Sequence, residues 1–381
     1  MTDTTIKGNG KSSIIKAPAD MPETFAEWRQ QLLAGNGYLD ISLNTDTTGE
    51  NAGCDVIGTA LSKANLLDDT TKAALELEQA DPTVNDALYA LSQKGSPAEC
   101  HVIADNSTTV TMTKGSTVLT AQVSNGEAVL YPAELGDWTV QYTFDGEQKS
   151  RTYTLEVIGI VYVYPFVIGD DLNDTSWADI NICARLGMAQ QFFKVGDTKT
   201  VNIGGTNYDV QIIGFDHDDL TSGGKAPITF QMVDCLNTTY NMNNSNTNVG
   251  GWGSSAMRGR MSTFLSQMPS DLQAVIKTVN KKTSAGNQST SISTTSDTLF
   301  LLSEVEIFGT TTYSVAGEGS QYEWYQAGNT KIKNVNGSAN YWWERSPGSG
   351  SATYFCSVSS SGAASILSAS NTCGVSLGFC V

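Results

Sequence analysis

Residues 107–157, STTVTMTKGSTVLTAQVSNGEAVLYPAELGDWTVQYTFDGEQKSRTYTLEV, alternate apolar and polar side chains almost without a break. A repeat of two puts every second side chain on one face, which suits a strand with one side in a core and does not suit a helix. The run is cut at Lys114-Gly115, Asn125-Gly126 and Asp145-Gly146. Asn-Gly and Asp-Gly supply the positive φ angles that two-residue hairpin loops demand, so these cuts predict reversals between antiparallel strands. About five to seven short strands at such spacing make a small β-sandwich.

Composition extends this bias to the rest of the chain. The 36 glycines, set among many Ser, Thr and Asn, and a charged fraction of only 16% point to a β-rich, turn-rich protein and away from a helix bundle. A length of 381 residues exceeds what one core comfortably serves, so a multi-domain chain is expected. With 22 Lys+Arg against 39 Asp+Glu and a net charge of −17, the chain offers little to a phosphate backbone, and no nucleic acid partner is expected. The longest apolar stretch, VIGIVYVYPFVIG at 157–169, falls short of the ~20 residues that span a bilayer and reads as a buried strand, so no membrane insertion is expected. The opening MTDTTIKGNGKSSIIKAPAD has no apolar signal core, which predicts synthesis in the cytoplasm. The 7 cysteines (54, 100, 183, 235, 356, 373 and 380) are scattered and form no Cys-x-x-Cys pair, so buried free thiols are expected in place of a disulfide framework or zinc site.

Three domains follow. Residues 1–95 hold two amphipathic patterns: DMPETFAEWRQQLLAGNG, with Phe25, Trp28 and Leu32 on one face, and DPTVNDALYALSQKG, with Val84, Ala87, Leu88 and Leu91. Two such helices bury little alone, so this part reads as a small helical attachment module that completes its core against a partner. Residues 96–160 hold the β-sandwich. Residues 161–381 mix strands with two helix candidates and read as an α+β domain. In TSWADINICARLGMA, Thr175 or Asp174 caps and Trp177, Ile180 and Ala184 form the stripe; in MPSDLQAVIKTVNKK, Ser270 or Pro269 opens and Leu272, Val275, Ile276 and Val279 form it. KTVNIGGTNYDVQIIGFDHDD reads as a hairpin turning at Gly204-Gly205.

Resemblances attach to each part. GDWTVQYTFDGEQKSRTYTLEV resembles bacterial immunoglobulin-like domains, which serve mostly as spacers. FFKVGDTKTVNIGGTNYDVQIIGFDHDD, ITFQMVDCL, GGWGSSAMRGRM, DTLFLLSEVEIFG, YWWERSP and GVSLGFC resemble, in order and spacing, a C-type-lectin-like domain of the kind shared with formylglycine-generating enzymes. Members of that family include the variable proteins of diversity-generating retroelements, in which adenine mutagenesis rewrites the 3′ end of a receptor-binding gene. CDVIGTALSKANLLDDTTKAALEL resembles a stretch of phage tail-tip and baseplate proteins, with Ala60 and Ser62 where Pro and Asn are usual.

These resemblances imply a receptor-binding protein of a phage tail, located in the virion and made in the host cytoplasm. The attachment module would meet phage tail or baseplate proteins, and a homo-oligomer would supply avidity. The ligand would be a bacterial cell-surface protein or glycan. The alternative is a non-varying adhesin on a bacterial surface or a structural tail subunit. Residues 346–381 carry no Asp, Glu, Lys or Arg, and residues 348–373 lack the Trp, Gln, Met, Lys and Glu that a mutated Asn codon cannot yield. In the resemblance, Phe355, Cys356, Val358, Gly362, Ala364, Ala369, Gly374, Val375, Gly378, Phe379 and Cys380 match fixed positions. Gly348, Ser351, Tyr354, Ser357, Ser359, Ala363, Ser365, Ile366, Leu367, Ser368 and Cys373 fall where members differ and are the candidate ligand contacts. FCSVSS alternates, so one of its faces is expected in solvent. Trp342 and Trp343 read either as an anchor beneath that face or as an ordinary core strand, with Glu344 and Arg345 paired to each other or to partners elsewhere.

An enzyme is not expected. Cys356, Cys373 and Cys380 have no nearby cation in sequence to activate a thiol, and the only histidines, His101 and His217, lie in different domains. The cluster Asp216, His217, Asp218 and Asp219 reads as a solvated acidic turn or a cation site. No cofactor and no metal-mediated sugar binding are expected.

Overall fold

The computed structural model of the protein describes residues 5–8, 11–14, 98–156 and 159–381. The amphipathic patterns within residues 20–95, the tail-like stretch beginning at Cys54 and Cys54 itself lie outside the described residues. The chain is mostly β-sheet and forms two compact units that divide between Pro165 and Phe166.

In the first unit, β1 (Thr5–Gly8) and β2 (Lys11–Ile14) form an antiparallel pair. The alternating segment gives β4 (Thr109–Lys114), β5 (Thr117–Gln122), β6 (Glu127–Leu130), β7 (Gly136–Phe144) and β8 (Glu147–Leu155), and it is flanked by β3 (Ala98–Ile103) and β9 (Gly159–Val163). They make a four-stranded sheet in the order β5-β4-β7-β8 and a three-stranded sheet in the order β6-β3-β9. Period two is visible in burial: Trp138, Val140, Tyr142 and Phe144 of β7 are buried, as are Val110 and Met112 of β4 and Cys100 and Val102 of β3. Phe144 pairs with Glu147 across Asp145 (φ 53) and Gly146 (φ 74), a loop in which both residues have positive φ, as the dipeptide predicts. Strand β9 pairs in parallel with β3, so residues 161–163, expected in the C-terminal domain, belong to the first unit.

In the second unit, strands β10 (Thr198–Ile203) and β11 (Thr206–Phe215) form the hairpin expected at Gly204-Gly205. β12 (Ile228–Met232) follows, and then β13 (Tyr240–Asn241), β14 (Val279–Ser284), β15 (Ile292–Asp297) and β16 (Leu299–Phe300). The last strands are β17 (Lys333–Val335), β18 (Ser338–Asn340), β19 (Trp342–Pro347), β20 (Tyr354–Val358), β21 (Ala364–Ser368), β22 (Thr372–Cys373) and β23 (Gly378–Cys380). The main sheet runs β10-β11-β12-β23-β16, so the closing β23 sits inside it between β12 and β16. A second sheet, β19-β20-β21, carries the neutral stretch.

Helix α1 (Trp177–Arg185) matches the first helix candidate, but its cap is Ser176, whose hydroxyl accepts from the Asp179 N–H. Thr175, one of the caps expected from sequence, is buried and accepts instead from the Gly169 N–H at 3.0 Å. A single turn, α2 (Ala189–Phe192), follows. Helix α3 (Ala256–Ser266) starts at the Ser255 cap and buries Met257, Met261 and Phe264. The second candidate is helical only over α4 (Ser270–Gln273). Its last apolar position, Val279, instead opens β14, which pairs with β15. Helix α5 (Glu304–Phe308) opens on a capping box of Ser303 and Glu306, and α6 (Glu323–Gln326) is a single turn.

Candidate binding surface

Strand β20 lies between β19 and β21, with Trp343 opposite Ser357 on one side and Phe355 opposite Leu367 on the other. A middle strand whose two faces are both covered shows no alternation of exposure, and residues 355–359 are all buried. The expectation of a solvent face on FCSVSS is therefore corrected. Among the candidate contacts, Gly348, Ser357, Ser359 and Cys373 are buried and present no side chain to a ligand. Ser357 and Cys373 are 0% exposed, and a Cβ at Gly348 would stand 3.3 Å from the Tyr354 carbonyl oxygen. The remaining candidates do reach the surface: Tyr354 and Ala363 are exposed, and Ser351, Ser365, Ile366, Leu367 and Ser368 are half-buried. They lie on β21, at the start of β20 and in the loops flanking both.

Fixed backbone surrounds them. Phe355, Cys356, Val358, Ala369, Val375, Phe379 and Cys380 are all fully buried. At Gly374 a Cβ would stand 2.7 Å from Cys235 Sγ and 2.9 Å from the Tyr341 carbonyl oxygen, so only glycine fits that crossing. Trp342 and Trp343 are 0% exposed and donate their indole N–H groups to the carbonyls of Lys331 (2.9 Å) and Tyr240 (2.7 Å). They are core residues that also fasten the neighbouring loops.

The sequence reading missed the partner of this stretch. From residue 235 to 257 the chain has no Asp, Glu, Lys or Arg and is rich in Asn, and it packs directly against the neutral tail. β13 pairs with β22, the Asn243 N–H donates to Ala369 O at 2.9 Å, and the Asn248 N–H donates to Ala352 O at 2.7 Å. The fully buried Asn248 amide donates to the carbonyls of Ser351 (2.8 Å) and Tyr354 (2.7 Å), with that of Gly348 at 3.4 Å. Its own Oδ1 accepts from the Asn287 N–H at 2.8 Å. Two more uncharged stretches join here, 283–296 and 309–317: Gln288 Nε2 donates to Gly350 O at 3.1 Å and the Ser349 N–H to Tyr313 O at 2.7 Å. Four chain segments without a charge thus meet in one region of a protein whose net charge is −17. The signal was present in the sequence as a second charge-free run, but nothing local says that the two runs touch.

Charge is placed beneath this region, where it is paired. Arg345 donates from Nη2 to Glu306 Oε1 at 2.7 Å and from Nη1 to Glu306 Oε2, and further to the carbonyls of Leu301 and Glu318 at 2.9 Å each. Lys281 donates to Asp218 Oδ1 (2.6 Å), Glu306 Oε1 (2.8 Å) and the Tyr322 hydroxyl (3.1 Å). Burial alone would push Asp218 and Glu306 upward. Lys281 and His217 beside Asp218, and Arg345 and Lys281 beside Glu306, outweigh it and hold both carboxyls below the usual range. Asp218 is thus a buried anchor bonded to Lys281, Tyr322 and Thr229, while Asp216 and Asp219 are exposed. The acidic turn is therefore not wholly solvated. Among the described residues no group of His, Cys, Asp and Glu is arranged to hold a metal ion.

Glu344 does not pair with Arg345, because neighbours along a strand point to opposite faces. It is 0% exposed, and its carboxyl oxygens have no hydrogen-bond partner among the described residues. Burial, reinforced by Glu304 and Glu318, holds it well above the ordinary carboxylate range and so favours its protonated form. Burial likewise raises the Glu318 carboxyl to about 7, against the hydrogen bonds from Ser346 and Ser284. The described cysteines are free and buried, and burial pushes the Cys235 thiol up to about 12 and Cys356 well above its usual value. Such thiols are poor nucleophiles.

The arrangement is a surface of hydroxyl, amide and small apolar groups on a frame of buried, paired side chains. In sequence, residues 228–381 match a family described as a domain of unknown function (DUF6273), a span that runs from β12 to β23 and takes in the whole of this region. Neither a curated protein nor a solved structure matches the chain.

Proposed function

We propose that the protein is a receptor-binding protein of a phage tail. In this reading the second unit is a lectin-like domain displaying the ligand surface, the β-sandwich is an immunoglobulin-like spacer, and the N-terminal part attaches to tail or baseplate proteins. The observation that carries the reading is the meeting of four charge-free segments around Asn248, on a frame locked by buried ion pairs. A surface meant to be rewritten needs a backbone whose order does not depend on the side chains it shows, because otherwise each variant pays again for ordering its loops. Exposed Tyr354 and Ala363 and half-buried Ser351, Ser365, Ile366, Leu367 and Ser368 are the positions that rewriting can reach.

A second reading, a non-varying adhesin or structural tail subunit, draws on the burial of Gly348, Ser357, Ser359 and Cys373. The two are separated by sequencing the 3′ end of the gene from several isolates, together with binding of the purified chain to whole bacteria. The first reading expects adenine-linked differences confined to the surface-reaching codons, with a nearby reverse-transcriptase gene and an adenine-rich near-copy. Invariance of those codons overturns the variable reading. Loss of all cell binding overturns receptor recognition itself.

A further inference from the structure

Resting on the reading of this face as a receptor surface, we propose that its ligand is an uncharged oligosaccharide, held without a metal ion. The chemistry of the exposed groups argues for it. Tyr354 is 37% exposed and stands opposite Ser368 across the β20–β21 ladder, and Ser368 Oγ donates to Asn246 Oδ1. Directly paired side chains on neighbouring strands project to the same side, so an aromatic ring, a hydroxyl and an amide meet at one place. Asn244, Ser245, Asn371 and Thr372 are exposed next to them in sequence. Amides and hydroxyls both donate and accept, which matches a ligand made of hydroxyl groups, and an aromatic ring offers an apolar face to a sugar ring.

The same inventory disfavours the other ligand classes. An anionic glycan needs cations, and the charge-free segments supply none. Two cations of the second unit have partners of their own: Arg260 donates to Asn241 O (2.8 Å) and Asn241 Oδ1 (2.7 Å), and the Lys331 ammonium stands over the rings of Phe308 and Tyr325 at 5.6 and 5.8 Å. The net charge of −17 adds long-range repulsion of any polyanion. A protein partner calls for a cluster of large anchors, typically Trp, Tyr and Arg. Here Trp252, Trp342 and Trp343 are all 0% exposed and Ile366 and Leu367 are half-buried, so the exposed aromatics at β19–β21 are two tyrosines, Tyr354 and, just before β19, Tyr341.

The test uses the full chain on an array of neutral hexose and N-acetylhexosamine oligomers beside sulfated, sialylated and phosphorylated glycans. Whole bacteria treated with periodate or with protease are run in parallel. Binding to neutral oligomers is expected, unchanged by EDTA and altered less than about twofold between low and high salt, since no ion pairs form to be screened. Tyr354→Ala and Asn246→Ala are expected to weaken it at least about tenfold, on the scale of one lost stacking or hydrogen-bonding contact in a small site, with melting temperatures kept. Binding only to anionic glycans, or an EDTA-sensitive signal, overturns the proposal. Cell binding lost after protease but kept after periodate overturns it while leaving receptor recognition standing. An absence of binding to every glycan and every cell overturns both.

Discussion

The Arg345 guanidinium meets the Glu306 carboxylate through both of its terminal nitrogens, with neither residue more than 2% exposed. Lys281 donates to the same carboxylate and joins it to Asp218, so two cations and two anions balance within one buried cluster. Removing one member leaves the others uncompensated. Lys281→Met and Arg345→Met are each expected to cost about 3–5 kcal/mol of folding stability, read as a lowered urea midpoint. Arg345→Lys restores only part, because a lysine cannot span both carboxylate oxygens. A loss under about 1 kcal/mol for either Met variant would show that the cluster does not hold the frame.

Opposite pKa shifts give the second unit a stability maximum on the acidic side. Glu344 and Glu318 have folded-state values raised above their unfolded ones. Their contributions are therefore complete below the ordinary glutamate pKa, about 4.3, and are lost as pH rises, for Glu318 up to about 7. Asp218 and Glu306 are lowered, so theirs are present above the unfolded values and lost as pH falls through the folded ones. Glu344→Gln removes the cost of keeping a proton on a buried carboxyl and is expected to raise stability at pH 7. The gain should shrink toward pH 4.5. Thermal melts of both proteins across pH 4–8 check this, and an equal gain at all pH values contradicts it.

Tolerance to substitution should follow exposure, position by position. Ala363→Tyr and Ser365→Tyr are expected to change stability by less than about 0.5 kcal/mol, the usual range for surface changes. Ser357→Tyr and Cys373→Tyr force a ring into filled space and should cost about 3 kcal/mol or more, or prevent folding. Expression level and melting temperature of the four variants decide it. Equal tolerance at all four sites would contradict the burial of β20 and β22.

Asn248 ties three uncharged segments together through one side chain. Asn248→Ala strands the Ser351 carbonyl and the Asn287 N–H, while the Tyr354 carbonyl keeps the Gly348 N–H at 2.9 Å, and is expected to cost about 2–3 kcal/mol. Amide exchange should accelerate in residues 348–354 and 286–289 before the main sheet opens. Uniform acceleration over the second unit would mean that Asn248 supports the whole core and has no special hold on this surface.

Strands β4 to β8 were legible because both signals that define them are local: a period of two and dipeptides with positive φ. The hairpin at Gly204-Gly205 was legible for the same reason. The end of α4 was not, since Val275, Ile276 and Val279 satisfy a helical stripe, and only pairing with β15 makes a strand of Val279. Helix α3 was missed because Gly259, Ser262 and Thr263 dilute its pattern of Met257, Met261 and Phe264. At the candidate surface, alternation in FCSVSS suggested an open face, but residues 355–359 are all buried, and the packing that covers both faces is not written in the local sequence. The role of Asn248 is a long-range one, spanning 103 residues to Ser351, and no window of local sequence contains it.

Strand β23 lies downstream of every candidate contact and between β12 and β16 in the main sheet, with Phe379 paired to both Phe230 and Leu299. A single inserted or deleted nucleotide anywhere in the codons for residues 348–373 therefore scrambles the middle of that sheet along with the surface. Folding itself acts as a reading-frame check: changes that keep the frame leave β23 intact, and those that shift it do not.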